Sequence, residues 1–307
     1  MEKQFIGVDL GRGYVKGYTE YNGIASDCLF QSIVGDGREI DYSKYSEPMH
    51  LAIDTEEFFV GELAEKESFN PINNYSDDKT TDVAEKLLYA LLNKLAVAEN
   101  VQLCIGVPNK SFNKTTAESI SKKYQGKTIT IEDKIKNITK KVNISKVGIF
   151  RESDAALFHA VNTHKDRIKL QSMRVGMVTV GFRTSELSYF DIGMKFNDKL
   201  SDTKEVGNRT VLDIIQKSLS NQGITKTLNE IDNDSNYNAL KEIGYKNLLE
   251  RINQEIEMTW INYRDMKIFI AGGTCEKFKN IPEKFEKVDM PQLITAKGLF
   301  FIAQNLK

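Results

Sequence analysis

Asp9-Leu10-Gly11-Arg12-Gly13-Tyr14-Val15-Lys16 brings a carboxylate, two glycines and an ammonium into one short stretch. Glycines without a Cβ let phosphate oxygens reach the main-chain amides. Asp9 has the chemistry to hold a hydrated magnesium ion, and Lys16 meets a phosphate as a point charge. The same spacing also suits a tight hairpin that needs glycine for its backbone angles, with Asp9 capping it, so this turn by itself leaves both readings open. A second turn, Gly181-Phe182-Arg183-Thr184-Ser185, offers amides and the Thr184 hydroxyl to terminal phosphates. In a third, Ala271-Gly272-Gly273-Thr274, a glycine pair ends an apolar run and lets a base or ribose approach the backbone, or else makes an ordinary strand-to-helix turn. There is no GxxxxGK[ST] loop, no GxGxxG spacing, no HExxH helix and no Ser/His/Asp set. Phosphate-directed chemistry is what remains.

The elements that must position these turns follow from periodicity. QFIGVDLG and residues 14–21 read as strand, tight turn and strand. Residues of about 31–78 are polar and irregular, with strand-like HLAIDT and EFFVGELA and a loop-like FNPINNYSDD, and read as a small inserted subdomain. Val83, Leu87, Leu88, Leu91 and Leu95 recur at helical spacing behind an expected Asp82 cap. VQLCIGVP is a buried strand, residues 128–150 alternate as a hairpin with its lysines toward solvent, and a helix is expected from Ser153 to about His164. VGMVTVGFRTSELSYFDIG is again strand, turn and strand, so that Thr179-Val180-Gly181 falls on Asp9-Leu10-Gly11 and the chain reads as a duplication. NRTVLDIIQKSL and YKNLLERINQEIEMTWINYR are helices, MKIFIAGG a strand, and TAKGLFFIAQNLK a closing helix that packs across the lobe junction.

The chain has 307 residues, 40% hydrophobic and 28% charged, with a net charge of −1. That length favours two lobes, and the charge gives no field to attract nucleic acid. No apolar run is long enough for a signal peptide or a spanning helix, so a cytoplasmic location without membrane attachment is expected. Cys28, Cys104 and Cys275 are widely spaced without a CxxC pair and suggest neither disulfides nor zinc. His159 and His164 fall on different sides of a helix, which is wrong for paired metal ligation.

The ordered set IGVDLGRGYVKGY, IFRESDAAL, VTVGFRTSELSYF, IFIAGGT and TAKGLFFIA resembles the two phosphate, two connecting and adenosine motifs of the superfamily of actins, sugar kinases and heat-shock chaperone ATPases. Within it, the length, FVGELAEKESFNPINN and GVPNKSF look like the plasmid-segregation actins of the ParM kind and their archaeal relatives. The resemblance implies an α/β actin-like fold: two duplicated ribonuclease-H-like lobes around a cleft for ATP or GTP with Mg2+. Lobe I would span residues 1–160 with the insertion at 31–78. Lobe II would span 161–307, with a helical insertion at 207–262 and the C-terminal helix 296–307 returning to the junction.

Carried over by position, Asp9, Gly11, Arg12, Gly13, Tyr14 and Lys16 match the first phosphate loop, with Asp9 as the metal residue. Gly181, Phe182, Arg183 and Thr184 match the second, and Gly272, Gly273 and Thr274 the nucleoside turn. Gly207 and Asn208 stand where relatives open a helix near the ribose. Glu152 matches the residue that orients the attacking water, although a carboxylate at a helix N-terminus is also favoured by the dipole. Two positions depart from the family: Thr179 replaces an aspartate, and Phe182 replaces a glycine and narrows the loop. The resemblance implies a filament that grows head to tail with nucleotide and turns over by slow hydrolysis. Its partners would be itself and an adaptor bound to plasmid centromere DNA, without direct nucleic-acid contact. A sugar kinase of the same superfamily and a nucleotide-binding scaffold with little turnover are the competing expectations.

Overall fold

The computed structural model describes residues 3–306. The chain divides into two compact units, Met1–Ala155 with Thr295–Lys307, and Ala156–Ile294.

The first unit is built on a ten-stranded sheet in the order Ile24–Gln31, Tyr14–Tyr21, Gln4–Leu10, Asn100–Val107, Ile138–Arg151, Thr128–Asp133, Met49–Ile53, Glu56–Val60, Ile33–Asp36, Ile72–Asn73. Gln4–Leu10 and Tyr14–Tyr21 form an antiparallel hairpin, while Gln4–Leu10, Asn100–Val107 and Ile138–Arg151 run parallel. Parallel central strands are covered on both faces, which is why QFIGVDL reads as a nearly continuous apolar run. On one face Ile6, Val8 and Leu10 share a core with Leu87, Leu88, Leu91 and Leu92 of the helix Asp82–Leu95. On the other, the helix Ile294–Gln304 lies so close that a Cβ on Gly7 would be 2.0 Å from the Ala296 carbonyl oxygen. Only glycine permits that approach. The closing helix, expected to return from the second lobe to the junction, groups with the first unit.

Several local expectations change in the structure. Thr81, not Asp82, caps the first long helix, its Oγ1 accepting from the Ala84 amide at 3.2 Å. ELA, the end of the strand-like EFFVGELA, opens a helix, Glu62–Glu67. Ile24–Gln31 adds an edge strand and Lys114–Tyr124 a further helix. Of the hairpin lysines, Lys140 turns inward and donates to the carbonyls of Asn93 and Ala96, satisfying the C-terminal end of the helix Asp82–Leu95.

The second unit has a six-stranded sheet in the order Lys195–Phe196, Ser185–Asp191, Val175–Val180, Lys267–Ala271, Phe285–Lys287, with Asp202–Lys204 also paired to Ser185–Asp191. It repeats the first unit's central arrangement: Val175–Val180 is antiparallel to the strand after its turn and parallel to Lys267–Ala271. Helices Asn208–Ser220, Leu228–Asn233 and Asn238–Thr259 fill the stretch read as a helical insertion. The last starts earlier than expected and stops before Trp260, which is fully buried over Gly176 and donates to the Leu200 carbonyl at 2.7 Å. Among the described residues no helix is long and apolar enough to cross a membrane.

Candidate functional site

In the first unit the turn between Gln4–Leu10 and Tyr14–Tyr21 sets Asp9 directly opposite Lys16. Side chains opposed in an antiparallel pair share a face, and Lys16 Nζ lies 3.1 Å from Asp9 Oδ2. The other carboxylate oxygen, Oδ1, is 3.5 Å from where a Gly11 Cβ would stand. That Cβ would also come within 2.7 Å of the Tyr14 carbonyl and 3.0 Å of Lys16 Nζ, so the glycine keeps open the space between carboxylate and ammonium. Asp9 is 6% exposed.

The turn is held from outside by residues of the inserted segment. Ser32 donates its hydroxyl to the Gly11 carbonyl at 2.6 Å and its amide to the Gly13 carbonyl at 3.0 Å. Buried Asn74 approaches the carbonyls of Leu10 and Gly11 at 3.4 Å. Arg12 pairs with Asp77, which Lys110 also approaches at 3.4 Å. Burial works to raise the Asp77 carboxyl, but the Arg12 guanidinium prevails and holds it below the usual carboxylate range. Arg12 Nε and Nη1 are buried with no hydrogen-bond partner among the described residues, as is Asn74 Oδ1. Buried donors without acceptors cost free energy, and two guanidinium donors in that condition have the chemistry to take an anion. Tyr14 opens the second strand with its side chain partly exposed.

Glu152, in the same unit, is the first residue of the helix Glu152–Thr163. Its Cγ occupies the room left by Gly106, whose Cβ would meet it at 2.8 Å. Lys79 Nζ stands 3.5 Å from Glu152 Oε1 and 2.8 Å from the Leu10 carbonyl. Burial pushes the Glu152 carboxyl above its ordinary value; Lys79 and Lys16 oppose that, while Asp9 and Asp77 add to it. Asp9, Lys16 and Glu152, chosen from sequence, are thus brought into one electrostatic neighbourhood. Lys79, Asn74, Asp77 and Ser32 were not anticipated. The sequence marks none of them except as polar residues of an irregular segment.

In the second unit the expected residues gather around one carbonyl. Gly181 accepts from the Asn208 amide at 3.1 Å and from the Thr274 hydroxyl at 2.8 Å. Its own amide donates to the Thr184 carbonyl at 2.9 Å, closing the turn. Gly207 packs onto this turn, its absent Cβ lying 2.6 Å from the Gly181 oxygen. Gly272, at φ 94°, packs onto the Val180 main chain. Gly273 begins a short 3-10 turn, Gly273–Lys277. Two side chains depart from expectation. The Phe182 ring packs against the unit's core instead of narrowing the loop, and Arg183 is exposed and pairs with Glu205 at 3.4 Å. Thr179 is buried opposite Glu186.

A cavity of about 560 Å³ adjoins this turn, lined among others by Asp232, Lys241, Glu242, Tyr245 and Lys277. Asp232 ties it to the site, since its carboxylate receives the Asn208 amide side chain at 3.1 Å and the Lys277 ammonium. Tyr245 donates to Asn208 Oδ1 at 2.7 Å. A concave space of this size, part apolar and part polar, suits a heterocycle.

Residues 7–153 match the family model of the actin-like proteins' N-terminal domain. No protein of curated function matches the chain by sequence. Among solved structures, a 15-stranded ParM filament from Clostridium botulinum is similar at 19% identity over 100% of both chains, with a TM-score of 0.82. The apo pSK41 ParM protein is similar at 17% identity over 99% of this chain and 98% of its own, with a TM-score of 0.76. Ta0583, an archaeal actin homolog in complex with ADP, is similar at 15% identity over 98% of this chain and 99% of its own, with a TM-score of 0.78.

Proposed function

We propose, from the match of residues 7–153 to the N-terminal domain of the actin-like proteins and a fold like that of ParM structures along the whole length, that this is an actin-like, nucleotide-dependent filament former. In this reading the glycine turn of the first unit takes phosphates of ATP or GTP; the turns of the second unit, taken by themselves, have the chemistry of a nucleoside site. The observation that carries it is the first turn, where Lys16 faces Asp9 at 3.1 Å and two buried guanidinium donors of Arg12 lack acceptors among the described residues.

Magnesium, when bound, would supply charge neutralisation between phosphate oxygens. The donor set suits it, since Asp9 is a hard carboxylate whose Oδ1 borders the gap kept by Gly11. Lys16 would hold Asp9 in place and Arg12 would donate to phosphate oxygens. Glu152, seated against Gly106, would orient the attacking water. Thr274, Gly272 and Gly273 would present the nucleoside turn, with the base in the cavity lined by Asp232, Tyr245 and Lys277. Thr179 carries no charge, so the second turn contributes hydrogen bonds and not metal ligation, which favours slow hydrolysis and long-lived filaments.

The similarity to ParM structures supports a role in plasmid segregation, with hydrolysis coupled to filament turnover and an adaptor protein linking filament to centromere DNA. The test is right-angle light scattering after ATP, GTP or neither is added with magnesium, with phosphate release followed in parallel. Scattering should rise with one nucleotide ahead of phosphate release. A signal that stays flat under every nucleotide, at concentrations up to those of a concentrated cytoplasm, overturns the filament reading.

A further inference from the structure

Lys79 is 3% exposed, and a buried ammonium is costly unless charges and hydrogen bonds compensate it. Its contacts join parts of the first unit that are far apart in sequence. Nζ donates to the Leu10 carbonyl at 2.8 Å, at the last residue of the strand that enters the glycine turn. The same atom faces Glu152 Oε1 at 3.5 Å. The lysine's own backbone is fixed from behind, because fully buried Tyr124 donates its hydroxyl to the Lys79 carbonyl at 2.6 Å. The Glu152 Cγ sits in the space left by Gly106, whose Cβ would meet it at 2.8 Å. The carboxylate is therefore set between a missing side chain and a fixed cation, and that cation also grips the edge of the turn.

We propose that Lys79 is a positioning residue that locks the Glu152 carboxylate to the end of the first phosphate strand, so that it addresses a water beside the terminal phosphate of a nucleoside triphosphate in one orientation. This rests on the reading of Glu152 given above. Lys79 acts through Glu152: its two contacts, to the Leu10 carbonyl and to Glu152 Oε1, are within the first unit. A free carboxylate at the start of a helix has several rotamers; one pinned at 3.5 Å to a buried ammonium has few.

The experiment is a double-mutant cycle on the full chain with Lys79→Met, Glu152→Gln and the pair, reading phosphate release in single turnovers, affinity for a fluorescent nucleotide, and thermal unfolding. Lys79→Met should slow phosphate release about tenfold or more while affinity stays within about threefold, the mark of a lost positioning effect and not of lost binding. In the Glu152→Gln background the same substitution should change the rate by less than about twofold, because residues acting as a unit are not additive. If Lys79→Met melts early, Lys79→Gln, which keeps a donor for the Leu10 carbonyl, should show the same split. An unchanged rate, a loss of affinity as large as the loss of rate, or an equal slowing in both backgrounds overturns the proposal. A Glu152→Gln protein that releases phosphate as fast as the parent overturns instead the reading of Glu152, and the two failures are told apart by that single variant.

Discussion

Thr179 lies directly across the second hairpin from Glu186, in the register position that corresponds to Asp9 facing Lys16 in the first. Both are buried, Thr179 at 9% and Glu186 at 3% exposure, and Glu186 receives the Thr203 hydroxyl at 2.7 Å. The first hairpin thus opposes acid with base, and the second opposes acid with a neutral hydroxyl. An aspartate at this position would set two carboxylates side by side on one face. Thr179→Asp should therefore destabilise the nucleotide-free protein by about 2 kcal/mol, and Thr179→Asp with Glu186→Gln should recover most of it. Magnesium and nucleotide should raise the variant's melting temperature more than the parent's and speed phosphate release. Denaturant titrations with and without ligand decide this. A single variant as stable as the parent without ligand would show that the two side chains do not face each other.

Gly272 is where the turn after Lys267–Ala271, proposed above to take the nucleoside, depends most on having no side chain. Its φ of 94° is a conformation L-residues rarely adopt, and a Cβ there would lie 2.3 Å from the Val180 carbonyl oxygen. The clash is with backbone, which cannot swing away as a side chain would. Gly272→Ala should cost about 2 kcal/mol or more of stability and displace Thr274 from the Gly181 carbonyl. Urea unfolding checks the first effect. The second should appear as a larger loss in affinity for a nucleoside diphosphate than for inorganic pyrophosphate, and equal losses for the two would count against a nucleoside role for this turn.

The parts of the site that were legible in the sequence are those whose geometry is local. A strand, a glycine turn and a returning strand are contiguous, so Asp9 and Lys16 meet without help from elsewhere. The repeat of that pattern at Thr179 and Gly181 was readable for the same reason. Lys79, Asn74, Asp77 and Ser32 were not, because nothing within ten residues of them shows that the chain folds back onto the first turn. Their partners, Leu10, Gly11, Arg12 and Glu152, are supplied by tertiary packing. The closing helix was recognised as a helix, but its partner was not. Its seat depends on Gly7, whose missing side chain gains meaning only when a second backbone is pressed against it. Phe182 failed differently: its size suggested obstruction, whereas its ring found the core.

Glu85 gives the first unit a pH-dependent clamp. Its carboxylate accepts from Lys127 at 2.6 Å and from Tyr89 at 2.5 Å, and pairs with Lys123 at 2.5 Å. Burial works to raise its pKa, but the two lysines and the tyrosine outweigh it and bring the value to about 2. A carboxyl depressed in the folded state stabilises above its unfolded pKa, and that stability is lost as pH falls through the folded value. The window here runs from about 4.5 down to about 2. Glu85→Gln should cost roughly 1–2 kcal/mol at neutral pH, and the gap between variant and parent should close across that window. Chemical denaturation at several pH values measures it. Because the helix ending at Tyr124 takes part in this cluster and also holds the Lys79 carbonyl, the loosening should be felt at the turn between Gln4–Leu10 and Tyr14–Tyr21. A gap that is constant with pH would assign the loss to packing.

Lys16→Met tests whether the first turn holds anion or merely shape. The ammonium is 3.1 Å from Asp9 Oδ2, and Asp9 is nearly buried, so removing the lysine leaves a carboxylate short of its partner. If the turn is only a hairpin, the result is a loss of stability and no more. If it cradles phosphate, two changes should appear together: affinity for nucleoside triphosphate should fall about 10- to 100-fold, the range of one charge-assisted contact, and its dependence on ionic strength should weaken, since one fewer cation meets the phosphates. Magnesium should matter more to the variant than to the parent, because Asp9, released from Lys16, has both oxygens free for a cation. Gly11→Ala separates shape from charge. It keeps Lys16 but sets a Cβ 3.0 Å from Nζ and 2.7 Å from the Tyr14 carbonyl, so it should weaken binding while leaving the salt dependence as in the parent. Calorimetric titrations at two salt concentrations distinguish these outcomes, and a Lys16→Met protein that binds as tightly as the parent at both would remove the phosphate role from this turn.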